Sequence, residues 1–153
     1  MRSLVCMSLM VLTLCAPGYC RRKQAPAPTC DISFFVSAQS RIDSLDAPAL
    51  ARYFGSYSDT SCMSDMDYSD WLNRLIYPVF IKYTDSSLVT LQHVGDREKS
   101  LVLRNLEKPQ TASLEDVKTL HLVITRMEIE YRLKKRLLLA LQRAIDNYGN
   151  DAR

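Results

Sequence analysis

The chain has 153 residues, with 20 Lys plus Arg against 17 Asp plus Glu, a formal net charge of +3, and 47% apolar residues. That length supports one core and one domain, and its apolar content excludes a chain too polar to fold. The positive excess comes from Arg2, Arg21, Arg22 and Lys23, since residues 24–153 hold 16 Lys plus Arg against 17 Asp plus Glu, which excludes a basic nucleic-acid footprint over the whole domain.

Residues 1–20, MRSLVCMSLMVLTLCAPGYC, place Arg2 before an apolar run at 4–14 and the small-residue boundary Ala16-Pro17-Gly18. This is the pattern of an export signal, cleaved after Gly18 or Cys20, and it predicts a secreted or periplasmic protein. The apolar run is shorter than the roughly 18 residues that span a bilayer. Leu14 before Cys15 and Tyr19 before Cys20 are not the small residues that lipid attachment requires, so no lipid anchor is expected. Charged residues interrupt every later apolar stretch, and no transmembrane span is expected in the mature chain. Residues 21–29 continue as a basic and Pro-rich linker, RRKQAPAPT.

Cleavage after Cys20 removes three of the five cysteines and leaves Cys30 and Cys62. In an oxidising compartment the two predict a disulfide, closing a loop of about 33 residues and contributing roughly 3.7 kcal/mol in the chain-entropy description. Neither cysteine has the spacing of a redox pair or a zinc knuckle.

Residues 30–153 are expected to form one globular domain. Ile32, Phe35, Ala38, Ile42 and Leu45 recur at helical steps over 31–45. Asp46-Ala47-Pro48 then opens a short second helix with Gly55 just past its end. The Ser- and Asp-rich stretch 56–70 reads as a surface loop carrying Cys62. Its Asp59, Asp65, Asp67 and Asp70 lack the mid-loop Gly and terminal Glu of a twelve-residue calcium loop. Ser69 or Asp70 is expected to cap a third helix bearing Trp71, Leu72, Leu75 and Ile76, which Pro78 ends or kinks.

From Val79 the residues favour strands. VFIKYT at 79–84, LVTLQHV at 88–94 and SLVLRNL at 100–106, divided by Asp85-Ser86-Ser87 and by Gly95-Asp96-Arg97-Glu98-Lys99, predict a three-stranded antiparallel meander. The predicted fold class is therefore α+β, with N-terminal helices, the meander and a long C-terminal helix; an all-α bundle is the alternative, decided by whether 79–106 pairs as strands.

Ser113-Leu114-Glu115-Asp116 opens the C-terminal helix, expected over 113–148 with Gly149 as its stop. Val117, Leu120, Ile124, Met127, Tyr131, Lys134, Leu138, Leu141, Ile145 and Tyr148 follow steps of three and four, a seam broken only by Lys134. A continuous helix of about 35 residues reaches roughly 52 Å, well beyond a domain of this size, so it must break, wrap the core or protrude. The seam either packs inside the monomer or receives a partner protein or a second copy. Leu122, Ile129, Leu133, Leu137 and Leu139 add apolar surface, and Arg132, Lys134, Lys135 and Arg136 form a basic cluster suited to an acidic partner or an anionic membrane.

The two histidines, His93 and His121, carry no flanking signature, and the sequence has no Gly-rich phosphate loop, metal-ligand spacing or aromatic-basic alternation. Neither a cofactor nor nucleic acid is expected. The functional expectation is an exported, non-catalytic protein-binding module using the C-terminal helix. The alternatives are a secreted all-helical ligand of cytokine or effector type, and a small-ligand carrier or enzyme with His93, Tyr83 or Tyr131 converging on a pocket between sheet and helix.

Overall fold

The computed structural model describes residues 30–151, seven α-helices joined by short turns. The expected signal at 1–20 and linker at 21–29 lie outside the described residues. The helices are α1 (Ser33–Ser40), α2 (Ala47–Gly55), α3 (Met66–Lys82), α4 (Thr84–His93), α5 (Asp96–Leu106), α6 (Leu114–Arg126) and α7 (Tyr131–Asp151), with 3-10 turns at Ile42–Ser44, Ser56–Ser58 and Cys62–Ser64.

The helical face read over 31–45 is divided, α1 stopping at Ser40 before the Ile42–Ser44 turn, while the start of α2 follows its sequence signals. The Asp46 side chain accepts a hydrogen bond from the Ala49 amide, and Pro48 lies in the first turn of α2, where its missing N–H costs nothing. Gly55, expected just past the helix, is instead its last residue and keeps right-handed geometry, φ −62°, as the chain runs on into the Ser56–Ser58 turn. That turn drives Tyr57 into the core. Cys62, on the third turn, stands at disulfide distance from Cys30, Cα to Cα 5.4 Å, tying the chain before α1 to the turn before α3.

Helix α3 is the axis of the domain. Tyr68, Leu72, Leu75, Ile76, Tyr77, Val79 and Phe80 are all buried, so its apolar surface extends around most of the cylinder. Helices α1, α4, α5 and α6 each pack against it. Its cap is Asp65, which accepts from the Tyr68 amide, rather than Ser69 or Asp70.

Pro78 does not end this helix. A proline inside a helix withholds the N–H that the carbonyl four residues earlier would accept, here that of Arg74. The Thr111 hydroxyl donates to the Arg74 carbonyl at 2.9 Å and fills that vacancy from the α5–α6 connection. The helix continues one further turn and buries Val79 and Phe80.

The expected α+β class is corrected by the region that follows: no strand occurs among the described residues, and the all-α alternative fits. The run 79–84 finishes α3 and opens α4, 88–94 is α4 and its cap, and 100–106 is α5. Burial explains the outcome. Leu88 and Leu91, then Val102, Leu103 and Leu106, are the buried positions, and their steps of one, three and four place each set on one helical face. The clusters expected to turn the chain instead start helices. Asp85 lies in the first turn of α4, and Asp96 with Glu98 in that of α5, where carboxylates suit the positive helix end. At Gly95, which caps α5, an added Cβ would collide with the Glu98 carboxylate folded over it.

The C-terminal helix expected over 113–148 is two helices. Ser113 and Asp116 form a reciprocal capping box at its start, as the sequence indicates. The chain leaves helical geometry after Arg126, and α7 folds back along α6 as a hairpin. From Ile124 to Leu133 is nine residues, about 900° at 100° each, so the two apolar stripes are half a turn out of phase and one straight helix could not bury both. The Lys134 ammonium donates to the Met127 carbonyl at 2.8 Å and holds the joint. Gly149 lies inside α7 rather than stopping it.

Tyrosine hydroxyls fasten the elements by binding main-chain groups of their neighbours. Tyr53 of α2 donates to the Leu72 carbonyl at 2.8 Å, Tyr77 of α3 donates to the Leu106 carbonyl, and Tyr148 of α7 donates to the Ala112 carbonyl. Tyr83 accepts from the Leu45 amide at 2.8 Å.

The Thr111 cap yields a double-mutant prediction. Thr111→Val, which keeps the shape and removes the hydroxyl, lowers stability by about 1 kcal/mol in denaturant unfolding. In a Pro78→Ala background, where residue 78 supplies its own N–H, the same substitution costs roughly half as much or less. Equal costs in both backgrounds contradict the account.

Candidate functional site

The residues singled out from sequence fall into three groups. Val117, Leu120, Ile124 and Leu141 are fully buried in the core. Met127, Leu138 and Ile145 are half-buried and pack against it. Tyr131, at the start of α7, is 74% exposed. The interior seam of α7 is instead Leu133, Leu137, Ala140, Leu141 and Ala144, which includes residues that periodicity set aside as surplus.

The groups expected around a pocket between sheet and helix are not brought together. His93 is exposed in the last turn of α4, Tyr83 is held at the α3–α4 joint by Leu45, and Tyr131 stands at the α6–α7 joint. The sheet that would have formed one wall is absent among the described residues. No group of three or more His, Cys, Asp or Glu is placed to hold a metal among the described residues. The loop aspartates serve structure: Asp59 accepts from the Ser61 hydroxyl and the Cys62 amide, Asp65 caps α3, and Asp70 pairs with Arg74 at 2.7 Å.

A polar cluster is buried where α2 and the Ser56–Ser58 turn meet α5. The Tyr53 and Tyr57 hydroxyls lie 3.3 Å apart, and the Asn105 amide donates to Tyr57 at 3.3 Å. Burial pushes the Tyr57 hydroxyl up to about 12 and raises Tyr53 well above its ordinary value, with the neighbouring tyrosine adding to the latter shift. Burial also raises Tyr77. Enclosed and neutral, the Tyr53 and Tyr77 hydroxyls bond to main chain and that of Tyr57 to the side chains of Tyr53 and Asn105, a network that stabilises the fold.

The outer face of α7 has a different character. Arg132, Arg136, Leu139 and Arg143 follow steps of four, three and four and form one exposed row. Leu139 is 50% exposed between the arginines. Helix α5 packs alongside, and the valley between them forms two adjoining hollows of about 340 and 320 Å³ that share Arg136. Ser100, Leu103, Arg104 and Glu107 face the row in the first hollow; Asp96, Lys99 and Glu130 join it in the second.

Local bonds order this valley without neutralising it. Arg136 donates to the Ser100 hydroxyl at 3.0 Å, and Arg143 pairs with Glu107 at 2.7 Å. Arg104, Arg132 and Arg136 form no ion pair among the described residues. Of the basic cluster visible in the sequence, Lys134 is turned to the α6–α7 joint and Arg132 and Arg136 line the valley. The contribution of Ser100 and Arg104 was hidden because 100–106 reads as a strand; the signal that could have found the site is the four-residue row on α7.

No helix among the described residues is long and apolar enough to cross a membrane. No protein-family model matches the chain, and no curated protein or solved structure matches it either.

The tyrosine cluster gives a pH prediction. The folded-state value of Tyr57, about 12, lies above the model-compound value of 10.0, so its contribution to stability is complete below pH 10.0 and is lost as pH rises through about 12. Ultraviolet titration is expected to leave a tyrosine fraction un-ionised near pH 10 that ionises together with loss of helical circular dichroism. Full, reversible ionisation of all tyrosines near pH 10 with helicity intact contradicts the buried network.

Proposed function

We propose that this chain is an exported, non-catalytic protein-binding module that receives an acidic amphipathic segment in the valley between α5 and α7. The observation that carries the reading is the exposed row Arg132, Arg136, Leu139, Arg143 of α7, lying beside Arg104 of α5, with the guanidinium groups of Arg104, Arg132 and Arg136 outside any ion pair among the described residues.

The chemistry selects the partner class. Guanidinium groups bind carboxylates through paired, charge-assisted hydrogen bonds, and an apolar side chain at the centre supplies the anchor that rim charges lack. From residue 132 to 143 the row extends about 16 Å, the length of three helical turns. A polyanionic sugar or nucleic acid would leave Leu139 unmatched, and no aromatic ring lines the valley for base stacking. An acidic peptide with one apolar residue per two turns matches both features. Export rests on the pattern of residues 1–20, with the Cys30–Cys62 pair in keeping with an oxidising compartment. A secreted all-helical ligand is a special case of the same reading, since it too acts by presenting a helical face to a partner.

The test uses a labelled synthetic helix of three turns carrying Glu at steps of four around one Leu, titrated with the mature oxidised protein. Binding is expected to weaken with salt, to fall about tenfold in Arg136→Glu, and to fall in Leu139→Ala while Leu122→Ala on α6 leaves it unchanged. No binding by the wild-type protein, or equal binding by wild type and Arg136→Glu, overturns the proposal.

A further inference from the structure

We infer that the acidic segment this valley accepts is carried by the chain itself: the Asp65-Met66-Asp67 corner at the start of α3 in a second copy. The inference rests on the reading of the α5–α7 valley as an acidic-peptide site and names its partner. Residues 30–95 hold eight Asp or Glu against four Lys or Arg, whereas residues 96–153 hold twelve Lys or Arg against nine Asp or Glu. Charge is thus partitioned along the sequence while residues 30–153 together are close to balanced, so that two copies do not repel as wholes and a local acidic surface can meet a local basic one.

The corner has the chemistry that the valley lacks. Met66 is 82% exposed, the most exposed of the large apolar side chains among the described residues, and exposed Asp65 and Asp67 flank it in sequence. Asp65 holds its place by capping the Tyr68 amide, so the corner is fixed rather than trailing. An unbranched Met adapts to an irregular apolar contact such as Leu139, while the two carboxylates meet Arg136 and its neighbours. The order acid, apolar, acid on the corner answers the order Arg136, Leu139, Arg143 on α7.

Corner and valley are different surfaces, so the contact is head-to-tail: each copy offers a corner to one neighbour and a valley to another. Such an interface closes into a ring or continues as a chain. Its solvent-exposed charge pairs make it sensitive to ionic strength.

Sedimentation of the mature oxidised protein over a wide concentration range, in low and high salt, tests this. The expected result is reversible self-association in low salt that salt disperses. Asp67→Arg and Arg136→Glu each weaken self-association about tenfold, an equimolar mixture of the two forms a pair that goes no further, and the chain carrying both substitutions associates again. Helical circular dichroism of each variant confirms that it is folded. A wild-type protein that stays monomeric while the acidic peptide binds its valley overturns the inference and leaves the peptide reading standing. Self-association that persists undiminished in both single variants places the contact elsewhere and overturns the inference as well.

Discussion

The structure depends on one constraint, the burial of α3 on most of its circumference. A helix with Leu72, Leu75, Ile76, Tyr77, Val79 and Phe80 all enclosed needs neighbours on every side, and α1, α4, α5 and α6 supply them. Enclosure makes partners within the protein the rule for polar groups there, with the Asn73 side-chain oxygen of α3 left unbonded. Tyr53, Tyr77 and Tyr83 meet that demand by reaching main-chain groups of adjacent elements, and Thr111 meets it where Pro78 opens the helix ladder. The interior is thereby committed to holding the fold together. The most distinctive charge lies on the surface, where α7 packs alongside α5.

The parts of the fold legible in the sequence are those with local signals strong enough to agree with packing. Asp46 with Pro48, and Ser113 with Asp116, announce helix starts through groups that touch the first turn directly. The Cys30–Cys62 pair followed from counting the cysteines that lie beyond residue 20. Residues 79–106 misled because Val79, Ile81, Val89, Thr90 and Val102 favour strands by side-chain stiffness alone. That preference is worth a few tenths of a kcal/mol per residue, whereas burying Leu88, Leu91, Val102 and Leu106 is worth roughly 1.5–3 kcal/mol each. Packing decided, and the helical spacing of those leucines was the better guide.

The break after Arg126 was half legible. Length showed that one helix could not stay with the domain, but no Gly or Pro marks where it ends. The place follows from the phase of the apolar stripes, and only once Leu133 and Leu137, rather than Tyr131 and Leu138, are recognised as the inward positions. The same shift in phase brings Arg132, Arg136, Leu139 and Arg143 to the outside. An error in assigning the core face of α7 is therefore also an error in assigning its exposed face. The α5 side of the valley was out of reach, since Ser100 and Arg104 join α7 only through tertiary packing.

The proposed binding role rests on the exposed arginine row of α7 beside α5. The measurement that tests this most directly is an NMR titration of the isotope-labelled mature protein with the acidic peptide helix, reading amide shifts along the whole chain. The account predicts perturbations at Ser100, Arg104, Arg136, Leu139, Arg143 and their immediate neighbours, joined by the Asp65-Met66-Asp67 corner where the peptide displaces a second copy, with the α3 core unmoved. Shifts centred on Leu122 and Val123 of α6, or spread without focus over the surface, would contradict it.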